Sequence, residues 1–221
     1  VITVNAIPTI TGILNVCVGS TGLLIGSGTP ATINPWMSAS PAVATISNTG
    51  VVTGIAAGSS IITYNNNNGC SNTIQVTIQA KPTVSSLGIV CIASTIQLIG
   101  SGTASATTPW VSGTPAVATV SNTGVVTGIA QGIATFTFVA NGGCTSDPSA
   151  PVTVNGKPSI SITGPNIICA GNTSQMSPSS GGTWISLNPG IASIDNSGFV
   201  TGLAQGTARF RFTSTATGCI S

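Results

Sequence analysis

Val43-Ala44-Thr45-Ile46-Ser47-Asn48-Thr49-Gly50-Val51-Val52-Thr53-Gly54-Ile55-Ala56 is a short apolar run, a four-residue polar turn and a second apolar run. It returns nearly unchanged as Val117-Ala118-Thr119-Val120-Ser121-Asn122-Thr123-Gly124-Val125-Val126-Thr127-Gly128-Ile129-Ala130. A looser third copy, Ile191-Ala192-Ser193-Ile194-Asp195-Asn196-Ser197-Gly198-Phe199-Val200-Thr201-Gly202-Leu203-Ala204, keeps the same 74-residue interval (117 − 43 and 191 − 117). Ser-Asn-Thr-Gly between two β-branched runs is a hairpin signal, with Gly supplying the positive φ that the turn requires. A fixed period of this length predicts a tandem array of small domains.

Working outward, Trp36, Trp110 and Trp184 hold the same interval, and one Trp per repeat at fixed phase points to a core position. Ala134, Phe136 and Phe138 alternate with Thr135 and Thr137, the period-2 pattern of a half-buried strand, and Ala208, Phe210 and Phe212 repeat it. The prediction is all-β, with sandwich domains of about seven strands and the Trp on the third. A proline recurs after each terminal strand-like run, in Ile7-Pro8, Lys81-Pro82 and Lys157-Pro158, and reads as a stiff hinge. The expected segmentation is 1–7 as the last strand of a preceding or neighbouring-chain domain, then repeats over 8–81, 82–157 and 158–221. The third repeat is expected to lack its final strand. Either the 221 residues are a window of a longer array, or Ile2–Val4 of one chain completes the open sandwich of its neighbour by strand addition.

The motif Trp-x-Ser, then Pro-Ala-Val-Ala-Thr, then Gly-Val-Val-Thr-Gly-Ile-Ala-x-Gly before an alternating strand resembles bacterial Ig-like group 2 domains. The resemblance spans nearly the whole chain. In the third repeat Trp184-Ile185-Ser186 and Gly198-Phe199-Val200-Thr201-Gly202 keep the frame. With its added cysteines and the turn Asn67-Asn68-Gly69-Cys70, the chain is similar to repeats of giant cell-surface adhesins of gliding Bacteroidota. The resemblance implies an immunoglobulin-like sandwich in extracellular stalks, adhesins and surface filaments; it implies no particular ligand.

Charged residues are 3% of the chain, where about 25% is ordinary. Its outer faces must therefore be wetted by Thr, Ser and Asn, a surface suited to a densely assembled material. A net charge of +2, scattered, gives no footprint for nucleic acid, and no apolar run is long enough to span a membrane. There is no His and no Glu, and the two carboxylates, Asp147 and Asp195, belong to different repeats. A Ser-His-Asp triad is thus excluded and no acid–base pair can be assembled, so the expectation is a non-enzyme without cofactor or metal.

Six cysteines, Cys17, Cys70, Cys91, Cys144, Cys169 and Cys219, fall two to a repeat and read as disulfides of an extracellular, oxidising compartment. Two pairings stay open. One closes each repeat on itself. The other follows from a strand count that puts Cys17 and Cys70 at opposite poles, which gives Cys17–Cys144 and Cys91–Cys219 and leaves Cys70 and Cys169 for partners further along the array. The partners expected are neighbouring repeats or copies of the same protein. A carbohydrate-binding array is the alternative, with Arg209 and Arg211 as possible contacts to an acidic surface glycan and Asn65–Asn68 as a polar loop.

Overall fold

The computed structural model describes residues 1–85 and 88–221 and is all-β, in immunoglobulin-like sheets. These residues fall into two compact units. The first comprises Val1–Thr83, Gly100–Pro109 and Phe138–Asp147; the second comprises Val84–Ile99, Trp110–Thr137 and Pro148–Ser221. The sequence period and the compact units therefore do not share boundaries.

The first unit holds one complete sandwich. Its strands are β1 (Ile10–Gly12), β2 (Asn15–Cys17), β3 (Thr21–Gly26), β4 (Trp36–Ser38), β5 (Ala44–Ile46), β6 (Val51–Gly54), β7 (Gly58–Asn65) and β8 (Ser71–Gln79). One sheet has the order β1-β3-β6-β5 and the other β2-β8-β7-β4. All pairings are antiparallel except β2 with β8, which is parallel. Trp36 lies on the fourth strand, one later than the turn count predicts, because the first strand is split between the two sheets. The split falls at Gly12, whose φ is 130° and whose missing side chain leaves room for the Leu23 carbonyl.

Alternation decides what is buried. Along β7, Ser60, Ile62 and Tyr64 point inward, and along β8 Val76 and Ile78 do the same. They pack with Val16, Leu24, Trp36, Ala44 and Val52 into one core, with the Trp36 and Tyr64 rings 4.5 Å apart. The Ser60 hydroxyl is the polar exception. It lies 2.9 Å from Ser38 Oγ and accepts from the Ser40 amide, so its burial carries no open hydrogen-bonding debt.

In the second unit, Val152–Asn155 lies between Ile89–Cys91, parallel, and Gly132–Ala134, antiparallel. That is the arrangement β8 has between β2 and β7. Thr95–Gln97, Val125–Gly128 and Ala118–Val120 form a separate three-stranded sheet. The third repeat contributes a sheet of Ser161–Ile162, Thr173–Ser177, Phe199–Gly202 and Ala192–Ile194, and an antiparallel pair of Gly182–Ser186 with Phe210–Ser214. Its core is Met176, Trp184, Ala192, Val200 and Phe212.

Candidate functional site

The chemistry-bearing side chains with a defined geometry are the cysteines, and the backbone around them is built the same way twice. In the first unit the parallel register sets Cys17 opposite Gln79, and the Val18 amide donates to the Gln79 carbonyl at 3.0 Å. Cys144 arrives on the turn Asn141-Gly142-Gly143, with Gly142 at φ 100° and the Gln79 side chain where a Cβ would stand. Cys17 and Cys144 form a disulfide with Cα atoms 5.6 Å apart. The Gln79 Oε1 lies 3.5 Å from the Cys144 sulfur.

In the second unit Cys91 stands opposite Asn155, and the Ile92 amide donates to the Asn155 carbonyl at 3.0 Å. Cys219 reaches this point from the third repeat and bonds Cys91, again with Cα atoms 5.6 Å apart. Each disulfide joins successive sequence repeats, with separations of 127 and 128 residues. The structure has the staggered pairing and not the closure of each repeat on itself. The parallel β2–β8 contact is the reason: it carries the first cysteine of a repeat to the end of that repeat's last strand, where the following repeat begins.

Cys70 and Cys169 are free thiols, so these two of the six expected half-cystines are unpaired. Cys70 has the surroundings of the bonded second cysteines without the bond: its sulfur faces the Asn5 carbonyl at 3.9 Å, as the Cys219 sulfur faces the Asn155 carbonyl at 4.0 Å. Cys169 follows Ile167 and Ile168, matching Val16-Cys17 and Val90-Cys91, and is exposed. Beside it runs an apolar groove of about 580 Å³ in the second unit, floored by Met176, Val200 and Phe210 and walled by Ile168 and Ala208.

Two of the other sequence candidates lie near the unpaired cysteines: Arg209 lines the groove beside Cys169, and Asn66 hydrogen-bonds the Cys70 amide. Arg209 and Arg211 are both exposed. The Arg209 backbone is held at both ends, its amide donating to Asn188 Oδ1 and its carbonyl accepting from the Leu187 amide, while Arg211 pairs with Ile185 in the antiparallel strand pair. The polar loop is a turn: Asn66 is buried and its Oδ1 accepts from the amides of Asn68 and Cys70. All three Trp are buried. Lys81 and Asp147 form an exposed ion pair within the first unit. Asp195 caps a turn by accepting from the Ser197 hydroxyl at 2.6 Å and from the Ser197 and Phe199 amides at 2.9 Å, and its pKa lies below the ordinary 3.8, chiefly through the Ser197 hydroxyl.

One feature of the repeats was not visible as chemistry in the sequence. The Ser of each Trp-x-Ser donates its hydroxyl to the carbonyl of the buried Ala six residues on: Ser38 to Ala44, Ser112 to Ala118 and Ser186 to Ala192. The invariant spacing across three repeats was the available signal.

No family model matches the chain, and no curated protein does. Among solved structures, domains 4 and 5 of the S-layer protein SbsC are similar at 18% identity and a TM-score of 0.31, over 68% of this chain and 98% of that one. A C-terminal intimin fragment, solved with the intimin-binding domain of its translocated receptor, is 14% identical with a TM-score of 0.45, over 72% of this chain and 67% of that one. Invasin, a bacterial integrin-binding protein, is 15% identical with a TM-score of 0.35, over 96% of this chain and 57% of its own.

Proposed function

We propose that the chain is a non-enzymatic structural segment of an extracellular surface protein, a filament or adhesin stalk built from Ig-like repeats over 8–81, 82–157 and 158–221. One observation carries the reading: both disulfides cross from one sequence repeat to the next. Such bonds persist in an oxidising, extracytoplasmic compartment. A repeat that merely needed a staple could close on itself. A bond to the next repeat stabilises the series, and under tension it limits how much chain is released when a sheet opens. The chain-entropy relation gives about 5 kcal/mol for a loop of this size, taken for one bond alone.

The chemistry of the surface agrees. With 3% charged residues and no His, the chain offers a stalk little to catalyse with and many hydroxyls and amides to be wetted by. The test is protease shaving of intact cells of the source organism, followed by detection of peptides from the three repeats. Release from intact cells, with cytoplasmic markers retained, is the expected result. Recovery of these peptides only after lysis would overturn the assignment to the surface.

A further inference from the structure

We propose that the two disulfides are interleaved so that the chain remains one covalent molecule after a cut at any single peptide bond between Cys17 and Cys219, the junctions between repeats included. The proposal deepens the structural reading above and rests on it for the oxidising compartment.

The argument starts from the order of the bonded cysteines along the chain. Cys17–Cys144 spans 127 residues and Cys91–Cys219 spans 128, and because Cys91 precedes Cys144 the two spans overlap. A cut before Cys91 leaves its two fragments joined through Cys17–Cys144. A cut beyond Cys144 leaves them joined through Cys91–Cys219. A cut between Cys91 and Cys144 is crossed by both bonds. Bonds that closed each repeat on itself would do less with more: pairing Cys17 with Cys70, Cys91 with Cys144 and Cys169 with Cys219 would leave 71–90 and 145–168 outside every loop. One cut in either stretch would then sever the array.

Those two stretches hold the junctions Lys81-Pro82 and Lys157-Pro158. Both junctions are outside any strand, with Ala80, Lys81 and Thr83 exposed at the first and Lys157 and Ser159 exposed at the second. Exposed connecting backbone is where endopeptidases nick a folded protein. The sequence protects the same places by a second, independent means. The cationic side chains are Lys81, Lys157, Arg209 and Arg211, and both lysines stand directly before a proline. Such a bond is a poor substrate for an endopeptidase that recognises basic side chains, since proline has no N–H and a fixed φ. The two arginines lie beyond Cys144, so a cut at either is bridged by Cys91–Cys219.

Hydrolysis adds one water across the peptide C–N bond, leaving a carboxylate and an ammonium, and touches neither disulfide. Each disulfide is itself shielded at one end: Cys144 and Cys219 are buried, so an attacking thiolate has little access to their sulfurs. For a load-bearing series the consequence is specific. A stalk severed at one junction loses every repeat beyond it, whereas an interleaved one keeps its continuity through the bond that crosses the cut. The sheets hold a nicked chain together only while they are folded; the bonds hold it when a sheet has opened.

The first measurement digests the oxidised 221-residue chain with a broad-specificity endopeptidase and runs matched denatured samples with and without reductant. The full-length band at 21.6 kDa should disappear from the reducing gel while most of it persists on the non-reducing one. The second uses P82A/P158A, which opens both junctions to a lysine-specific endopeptidase. Cys70 and Cys169 are alkylated and digestion is carried out in urea, so that cutting does not depend on access and no thiol can reshuffle the bonds. The expected product is one species at the mass of the variant plus one water for each bond cut, which reductant resolves into 1–81, 82–157 and 158–221. Adding C17S/C144S should release 1–81 alone without reductant, and adding C91S/C219S should release 158–221 alone. Equal loss of the full-length band on both gels overturns the proposal. So does P82A/P158A coming apart without reductant while Cys17, Cys91, Cys144 and Cys219 are all present. Either failure would leave the surface assignment standing, which the shaving of intact cells tests by itself.

Discussion

Ser38 Oγ donates to the carbonyl oxygen of Ala44 at 2.6 Å, and the same bond joins Ser112 to Ala118 at 2.7 Å and Ser186 to Ala192 at 2.7 Å. It ties the Trp strand of each repeat to the strand that follows. Ala44 and Ala118 are fully buried, so a carbonyl deprived of this donor has little access to water. Ser112→Ala should therefore cost about 1–3 kcal/mol. The measurement is the urea midpoint, which should fall with an unchanged slope. An unshifted midpoint would mean that another donor replaces the hydroxyl.

Gly50 closes the turn that defines the repeat, with a φ of 83°. A Cβ there would come within 2.3 Å of the Leu24 carbonyl oxygen, which belongs to backbone and cannot step aside. Gly19 has nearly the same φ, 79°, and open space around it. Gly19→Ala thus isolates the cost of the left-handed conformation, about 1 kcal/mol, and Gly50→Ala adds the clash to it. Thermal unfolding of the two variants should rank Gly50→Ala as clearly the less stable, and equal midpoints would refute the close approach.

How much of this was legible in the sequence follows from which features have a local cause. The Ser-Asn-Thr-Gly turns, the buried Trp and the Phe136–Phe138 alternation are set by a few neighbouring residues, and each was readable. The break of the first strand at Gly12 was not, because the reason for that Gly is the Leu23 carbonyl across the sheet. Cysteine spacing alone left two pairings open, since a separation of 53 residues between Cys17 and Cys70 says nothing about direction (70 − 17). The parallel contact of Cys17 with Gln79 decides it, and that contact spans 62 residues of sequence (79 − 17), beyond the reach of any local pattern. Arg209 and Arg211 stood out by charge, but charge alone specifies no partner.

The Cys17–Cys144 bond joins two segments of the first unit that are 127 residues apart in sequence, and Cys144 is buried. Removing it as C17A/C144A should lower stability by about 2–5 kcal/mol while Cys91–Cys219 remains. Melting curves taken with and without reductant give the check. Reductant should lower the midpoint of the wild-type chain more than that of the variant, because the variant has one bond fewer to lose. Equal drops in the two proteins would show that the Cys17–Cys144 bond contributes nothing to the folded state.

Asp195 fills the position that Ser47 and Ser121 occupy in the other two turns, where their hydroxyls accept from the amides of Val51 and Val125 at 3.1 Å. The Ser197 hydroxyl, then the Phe199 amide, hold the Asp195 pKa below 3.8 in the folded chain. A carboxylate whose folded pKa is depressed adds stability above its unfolded pKa and loses it as pH falls through the folded value, so this contribution should disappear on acidification below about pH 4. Asp195→Ser keeps an acceptor that the other two turns show to be compatible and removes the titration. The melting temperature of the wild-type chain should then fall more steeply between about pH 4 and pH 2 than that of Asp195→Ser. The Lys81–Asp147 ion pair is the same in both proteins and cancels from the comparison. Parallel acid profiles would mean that the turn gains nothing from the charge.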